Sequence, residues 1–276
     1  MDDSSTYNCR SSDNTKLFGY IWPCKAPRAV MSLVHGFGEH SGRYAHMAAN
    51  LNANGIAVIA IDLRGHGRSD GPRGVVKKYD DFRADIEALL AKTRSLYPNL
   101  PHILYGHSMG GGVVMDYGFA KDEDINAIIA SAPLIKLAQP PPSILTPIVK
   151  LLRFFRPKGA IKQPIDGTKI STLKIEQSLY LEDEFNHGQC GFGTALGMVK
   201  TGDDIAARAA QWNAPLLLIH SRDDVLTDFS ASEAFAQTAN NVEFHSFDNS
   251  AHELHNDIHR VKIYALMSDF IDRHIS

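Results

Sequence analysis

Two observations predict an α/β protein with a mostly parallel central sheet flanked by helices. Apolar strand-like runs alternate with helical patterns along the chain, and one run stops at Gly106-His107-Ser108-Met109-Gly110 before a helix-compatible stretch. Alternation of this kind is what parallel strands joined by crossover helices leave in a sequence. A Gly-x-Ser-x-Gly sequence between strand and helix reads as a nucleophile elbow, a sharp turn that lifts a serine hydroxyl clear of the sheet. The nucleophile of such a turn sits in a strained backbone. Gly106 and Gly110 then leave room where a side chain would collide with the adjoining strand or helix. Ser108 is the expected nucleophile.

The elements follow in order. Residues 7–10 and 17–22 flank the turn-forming Ser12-Asp13-Asn14 and predict an antiparallel hairpin at a sheet edge. Residues 29–34 are apolar almost throughout, as a strand buried on both faces would be. A helix is expected to about residue 54, and the β-branched run 56–61 is the next buried strand. Helical periodicity returns over 79–97, with Phe82, Ile86, Leu89 and Leu90 on one face, until Pro98 and Pro101 end it. The elbow strand, a helix over 109–120 and a strand over 125–130 come next.

The rhythm breaks at Pro133. Residues 134–209 lack the alternation and carry Pro140, Pro141, Pro142, Pro147, Pro157 and Pro164, so they read as a cap inserted into a core of 1–133 and 210–276. Within the insertion, 144–156 is amphipathic, with Lys150, Arg153 and Arg156 recurring every third residue among apolar neighbours. The expectation is a helix whose apolar side packs over a pocket, with contact to a membrane surface in addition. Alternation resumes with a strand at 216–220, a helix at 230–238, a strand at 242–247 and a terminal helix to about 271.

Composition narrows the function. The 276 residues are 44% hydrophobic and 21% charged, which suits a sizeable core. A formal net charge of -3 without a basic stripe gives no footprint for nucleic acid. Cys9, Cys24 and Cys190 are an odd number at wide spacing, so they suggest neither a disulfide framework nor a zinc site, and a reducing compartment is the simplest setting. The acidic, polar start, Met1-Asp2-Asp3-Ser4-Ser5-Thr6, does not resemble a secretory signal. No apolar segment approaches bilayer length. These features predict a cytoplasmic protein that touches membranes at most peripherally; oligomeric state is not legible.

Ser108 needs a base within hydrogen-bond reach and an acid to orient that base. Where an elbow of this kind serves acyl transfer, the order along the chain is Ser, Asp or Glu, His. Asp223 and Asp224 both lie just beyond the strand at 216–220, and Asp223 is the expected acid. His252 follows the last strand and is the expected base, with His255 as its competitor; Asp248 reads as a turn or cap residue. Oxyanion donors are expected from the backbone amides of Met109, directly after the nucleophile, and Phe37, in His35-Gly36-Phe37-Gly38 after the strand at 29–34. His35 is expected to brace its loop, and Arg64-Gly65-His66-Gly67 to act as scaffold for the elbow. No metal or organic cofactor is called for.

His35-Gly36-Phe37-Gly38-Glu39-His40-Ser41-Gly42-Arg43-Tyr44, Asp62-Leu63-Arg64-Gly65-His66-Gly67-Arg68-Ser69, the elbow and Ala132-Pro133-Leu134 together resemble the monoacylglycerol lipase group of α/β-hydrolases, which also includes lysophospholipase-like enzymes. The resemblance covers nearly all of the chain outside 134–209. It implies the α/β-hydrolase fold and a serine hydrolase of fatty-acid glycerol monoesters, with Ser108, Asp223 and His252 as triad. It also implies a helical cap over an acyl tunnel and peripheral membrane association through that cap. Lysophospholipids and short-chain esters are the alternative substrates, and a non-catalytic binding protein on the same scaffold is the alternative of another class. Two places depart from the group: its acid motif usually opens with glycine where this chain has His220-Ser221-Arg222-Asp223, and its cap usually carries an Asp-Pro pair where this chain reads Glu182-Asp183-Glu184-Phe185.

Overall fold

The computed structural model describes residues 4–120, 124–142 and 144–275, so Met1, Asp2 and Asp3 of the acidic start lie outside the described residues. The chain opens with β1 (Ser5–Arg10) and β2 (Lys16–Trp22), and continues through β3 (Ala29–Val34), α1 (Ala45–Ala53), β4 (Ile56–Ile61), α2 (Asp81–Leu96), β5 (His102–His107), α3 (Ser108–Gly118) and β6 (Ala127–Ser131). A long excursion contributes α4 (Leu145–Phe155), β7 (Ala160–Lys162), α5 (Lys174–Glu182), β8 (Gln189–Gly191) and α6 (Phe192–Ala207). The chain then returns through β9 (Leu216–Ser221), α7 (Phe229–Thr238), β10 (Val242–Phe247) and α8 (Arg260–His274).

Eight strands form one sheet in the order β1-β2-β4-β3-β5-β6-β9-β10. The β1-β2 hairpin joins β4 antiparallel, and every later pairing is parallel. Hence the mostly parallel sheet and its antiparallel edge stand as expected. The apolar runs have a simple cause. On β4, Ala57, Ile59 and Ile61 pack into the core cluster that holds the α2 and α3 side chains, while Ile56, Val58 and Ala60 pack into the cluster that holds those of α1 and α8. Alternate residues of β3 divide in the same way, Val30 and Val34 against Ala29, Met31 and Leu33. A strand covered on both faces has no polar side to show.

The topology also places the site. The chain leaves β3 for β4 on one side and returns to β5 on the other, with Val34 in register with Gly106. This is a topological switch point, where ligands bind beyond the carboxyl ends of the strands. The loop after β3 and the elbow after β5 are therefore neighbours.

Two expectations for the excursion need correction. It is not free of strands, because β7 and β8 pair antiparallel across residues 160–162 and 189–191. Nor does α4 pack its apolar side on the protein: it has no buried residue, and Ile148, Leu151, Phe154 and Phe155 are exposed, the two phenylalanines at 79% and 71%. No helix among the described residues is long and apolar enough to cross a membrane.

Candidate active site

Ser108 sits where β5 turns into α3, at φ 53°, the left-handed region that L-residues avoid. The surrounding glycines are a matter of space. A Cβ on Gly106 would lie 2.4 Å from the Gly110 carbonyl oxygen, and one on Gly110 would lie 2.3 Å from that of His35. Gly36 passes so close that its Cβ would stand 3.1 Å from the Ser108 Cβ. The turn and the loop after β3 are thus packed backbone against backbone.

His252 comes from the loop after β10. Its Nε2 lies 2.8 Å from Ser108 Oγ, and its Nδ1 lies 2.6 Å from Oδ2 of Asp224. Asp223 is not the partner. Its carboxylate is exposed and accepts the Asn249 N–H at 2.6 Å, whereas the Asp224 side chain is buried. The turn after β9 decides between the two. Asp224 Oδ1 accepts the N–H groups of Leu226 and Thr227, an Asx-type turn that aims the second oxygen inward at His252. Asp224 Oδ2 also receives the Thr227 hydroxyl at 2.8 Å and lies 3.1 Å from His220 Nε2. Ser221, in the stretch where the group usually has glycine, donates to the Ser250 carbonyl at 2.5 Å and so ties the acid loop to the base loop.

His255 is buried elsewhere, stacked on Tyr44 at 4.6 Å between ring centroids, and Asp248 is a surface partner of Arg222 at 3.3 Å. Neither meets Ser108.

The electrostatics suit a base. Burial pulls the His252 pKa down, but the adjacent Asp224 carboxylate and its hydrogen bond outweigh this and leave it above the ordinary histidine value. Burial alone would raise Asp224; the His252 charge and the hydrogen bonds from His220 and His252 hold it well below the usual carboxylate range. Asp224 therefore stays ionised and accepts from His252 Nδ1–H, which leaves Nε2 with a lone pair toward Ser108. That is the tautomer a general base needs.

The expected oxyanion donors flank this serine. Met109 is the second residue of α3, at the helix end whose dipole favours negative charge. Among the described residues, neither its amide nor that of Phe37 donates to a backbone or side-chain acceptor outside the regular elements. Beneath Phe37, Glu39 Oε1 accepts the Gly36 N–H at 2.6 Å and the Tyr44 hydroxyl at 2.8 Å. Arg43 then bridges Glu39 at 2.8 Å to Glu253, which it grips through two bonds at 2.5 and 2.8 Å. Glu253 follows His252 directly, so one buried arginine fastens the donor loop to the base loop. Sequence reasoning quoted Glu39 and Arg43 in a motif without finding this role, and it passed over Glu253. Glu39, Glu253 and His107 bring three ligand-type atoms within 4.8 Å of one another, but both carboxylates are already committed to Arg43.

The scaffold expectations agree with the geometry. His35 Nε2 accepts the Leu63 N–H at 2.9 Å and its Nδ1 faces the Gly36 carbonyl at 2.7 Å; burial lowers its pKa to about 4, so it is neutral and braces the loop. Arg64 is spent on Asp85, Asp13 and Ser11 at 2.7 to 2.8 Å. Two surface cavities, of about 220 and 300 Å³, lie on the Tyr20, Trp22 and His40 side and beside Arg64 and Lys78; neither is lined by Ser108.

Comparison with known proteins is consistent with this geometry. The sequence pattern of the Hydrolase_4 family, described as serine aminopeptidase, S33, matches residues 25–259. A monoacylglycerol lipase of Mycolicibacterium smegmatis is 30% identical over 259 residues, covering 92% of each chain. An abhydrolase domain-containing protein of Dictyostelium discoideum is 32% identical over 99% of this chain, which spans only 29% of that longer protein. Among solved structures, a soluble variant of monoglyceride lipase from Saccharomyces cerevisiae, in complex with a substrate analog, superposes with a TM-score of 0.85 at 23% identity, over 97% of this chain and 95% of that one. At that identity the likeness speaks for the fold.

Proposed function

The chain belongs to the Hydrolase_4 family, and on that premise we propose that it is a carboxylic ester hydrolase that cleaves monoacylglycerol to glycerol and free fatty acid through an acyl-enzyme on Ser108. The observation that carries this reading is the relay from Ser108 Oγ to His252 Nε2 at 2.8 Å and from His252 Nδ1 to Asp224 at 2.6 Å. His252 takes the Ser108 proton as Oγ bonds to the ester carbonyl carbon. The carbonyl oxygen becomes an oxyanion facing the Phe37 and Met109 amides. When the tetrahedral species collapses, the C–O bond to glycerol breaks and His252 returns the proton to the departing oxygen. Water then attacks the acyl-enzyme with His252 again as base, releasing the fatty acid and restoring Ser108.

The same relay would serve an amide, as the family's description implies. Lipid is favoured by the surface of residues 134–209, which we read as the cap: α4 has no buried residue, and Ile175, Leu179 and Leu181 of α5 are exposed, as are Lys150, Arg156 and Lys158. Such a surface suits a lipid interface that supplies the substrate, and the curated relative from Mycolicibacterium carries the matching activity in its name. Three free thiols fit a cytoplasmic setting, and the exposed apolar side chains of α4 fit peripheral membrane contact.

A single panel tests the reading. Monooleoylglycerol, lysophosphatidylcholine and p-nitrophenyl butyrate are offered to the purified protein, and Ser108 is probed with a fluorophosphonate. The expected result is covalent labelling at Ser108 and the highest kcat/KM on monooleoylglycerol. A folded protein that is neither labelled nor active is no hydrolase, and a preference for the lysophospholipid would move the substrate class.

A further inference from the structure

The loop carrying the Phe37 amide is held from below by Glu39, but it is also held from above, by residues of the excursion. Asp183, just after α5, reaches back to the core, where its Oδ2 lies 2.8 Å from His40 Nε2. The roles in this bond are fixed by the other ring nitrogen. His40 Nδ1 accepts the Gly42 N–H at 3.2 Å, so Nε2 carries the proton and donates to Asp183. Four residues further on, the His187 N–H donates to the Gly38 carbonyl at 2.8 Å, and His187 Nε2 faces the Gly65 carbonyl at 3.1 Å. The Phe37 ring meets His187 edge-on at 5.8 Å and His66 at 5.7 Å. The approach is close enough to dictate residue type: Gly38 has φ 74°, and a Cβ there would stand 2.3 Å from the His187 carbonyl oxygen.

These contacts surround one peptide. The Phe37 amide lies between Gly36, whose N–H is taken by Glu39, and Gly38, whose carbonyl is taken by His187. We propose that Asp183 and His187 are positioning residues for the oxyanion hole: docked on His40 and Gly38, the excursion holds the Phe37 N–H in line with the oxygen that becomes charged. Asp183 lies in Glu182-Asp183-Glu184-Phe185, the stretch where the sequence departs from its resemblance group. The segment is thus a built contact with the reacting side of the core as well as part of a substrate cover. A donor aimed at the developing oxyanion contributes only while it is held in place, so loosening this clamp should slow chemistry without weakening binding of a short ester. The inference rests on the hydrolase reading of Ser108.

The test severs one bond from either side. Asp183→Ala removes the acceptor. His40→Asn removes the Nε2–H donor while leaving a side-chain acceptor for the Gly42 N–H. Each variant, and the double variant, is assayed on p-nitrophenyl butyrate and titrated with a trifluoromethyl ketone, whose adduct on Ser108 places an oxyanion in the hole. Each single variant is expected to lose roughly tenfold in kcat, less than loss of a whole donor, with KM within about twofold and ketone affinity lowered by the same factor as kcat. The double variant should be no slower than either single one, because both break the same contact. Asp183→Asn, which still offers an oxygen to His40, should recover most of the rate. The acid limb of the pH profile, which reports His252, should stay where it is in the unaltered protein. Unchanged kcat, fully additive losses, or a loss accompanied by a moved acid limb would each overturn the proposal while leaving the hydrolase reading intact. An unaltered protein inert to both ester and fluorophosphonate would remove the hydrolase reading and the clamp with it.

Discussion

At His252 two effects of opposite sign act on one ring. Burial favours the neutral imidazole and Asp224 favours the charged one, and the carboxylate prevails. A base works only while unprotonated, so kcat/KM should fall as pH drops through a value above the ordinary 6.5 of histidine. Asp224→Asn removes the raising cause and leaves burial, so the acid limb should move to lower pH. The rate should also fall by roughly ten-thousandfold, as when a triad histidine loses its orienting carboxylate. Asp223→Asn should change the rate by no more than about threefold, because among the described residues its exposed carboxylate accepts from the Asn249 amide and does not reach His252. Steady-state kinetics across pH checks both, and a larger loss at Asp223 than at Asp224 would reverse the assignment. Ser108→Ala should remove on the order of a millionfold and leave the melting temperature no lower, since φ 53° is a strain that the serine already bears. Chain order and strand position were enough to find Ser108 and His252. They were not enough to separate two adjacent aspartates, because the choice is made by amides at 226 and 227 bending back onto one of them. Periodicity carries no trace of that.

At the level of elements, legibility followed burial. β3, β4 and β10 run over the residues their apolar patterns predicted, and for β3 and β4 the reason is a helix layer on each face of the sheet. The strand after α3 was placed two residues early, at 125 instead of 127, and the last helix runs on to His274, past the predicted 271. Chain ends and strand edges are where pattern gives least. The excursion was opaque for a physical reason. Its strands are three residues long and find their partners far along the chain, as Ile161 does 29 residues on at Cys190, so no local repeat announces them. For α4, amphipathicity was read correctly and its environment was not, because a period of 3.6 marks an apolar face without saying what covers it. With that face turned outward, Phe154→Ser combined with Phe155→Ser should leave stability and short-ester turnover nearly unchanged. It should lower activity on vesicle-borne monooleoylglycerol severalfold and weaken sedimentation with those vesicles. Equal losses on soluble and vesicle-borne substrate would mean that α4 has no part in lipid access.

Across the molecule, the site rests on histidines that are buried and kept neutral. Burial lowers His35 to about 4 and His107 to about 3, and it takes His66 and His255 well below the ordinary value. Three of the rings form a file behind the triad, His252 to His107 at 4.7 Å and His107 to His255 at 4.8 Å between centroids. In the unfolded chain each of these histidines titrates near 6.5, so below that pH the unfolded state binds protons that the native state refuses. Stability must then rise with pH across that window, which is to say it is lost as pH falls from about 6.5 toward 4. Each group contributes up to about 1.4 kcal/mol per pH unit. Three groups pull the other way: raised folded pKa values at His252, Glu39 and Asp85 favour the protonated native state. They are outnumbered by the lowered histidines, which include His187 as well as these four, and the lowered Asp224 and Glu253 add to the acid loss at still lower pH. His255 is the cleanest probe, since neither ring nitrogen has a hydrogen-bond partner among the described residues and its ring lies flat on Tyr44, at 16° between planes. His255→Phe keeps the stacking and removes the titration. Its melting temperature should therefore fall less between pH 7 and pH 5 than that of the unaltered protein, with a gain at pH 5 of about 1 to 2 kcal/mol. Calorimetry at the two pH values measures the difference, and parallel losses in both proteins would show that the buried histidines do not set the acid limit of the fold.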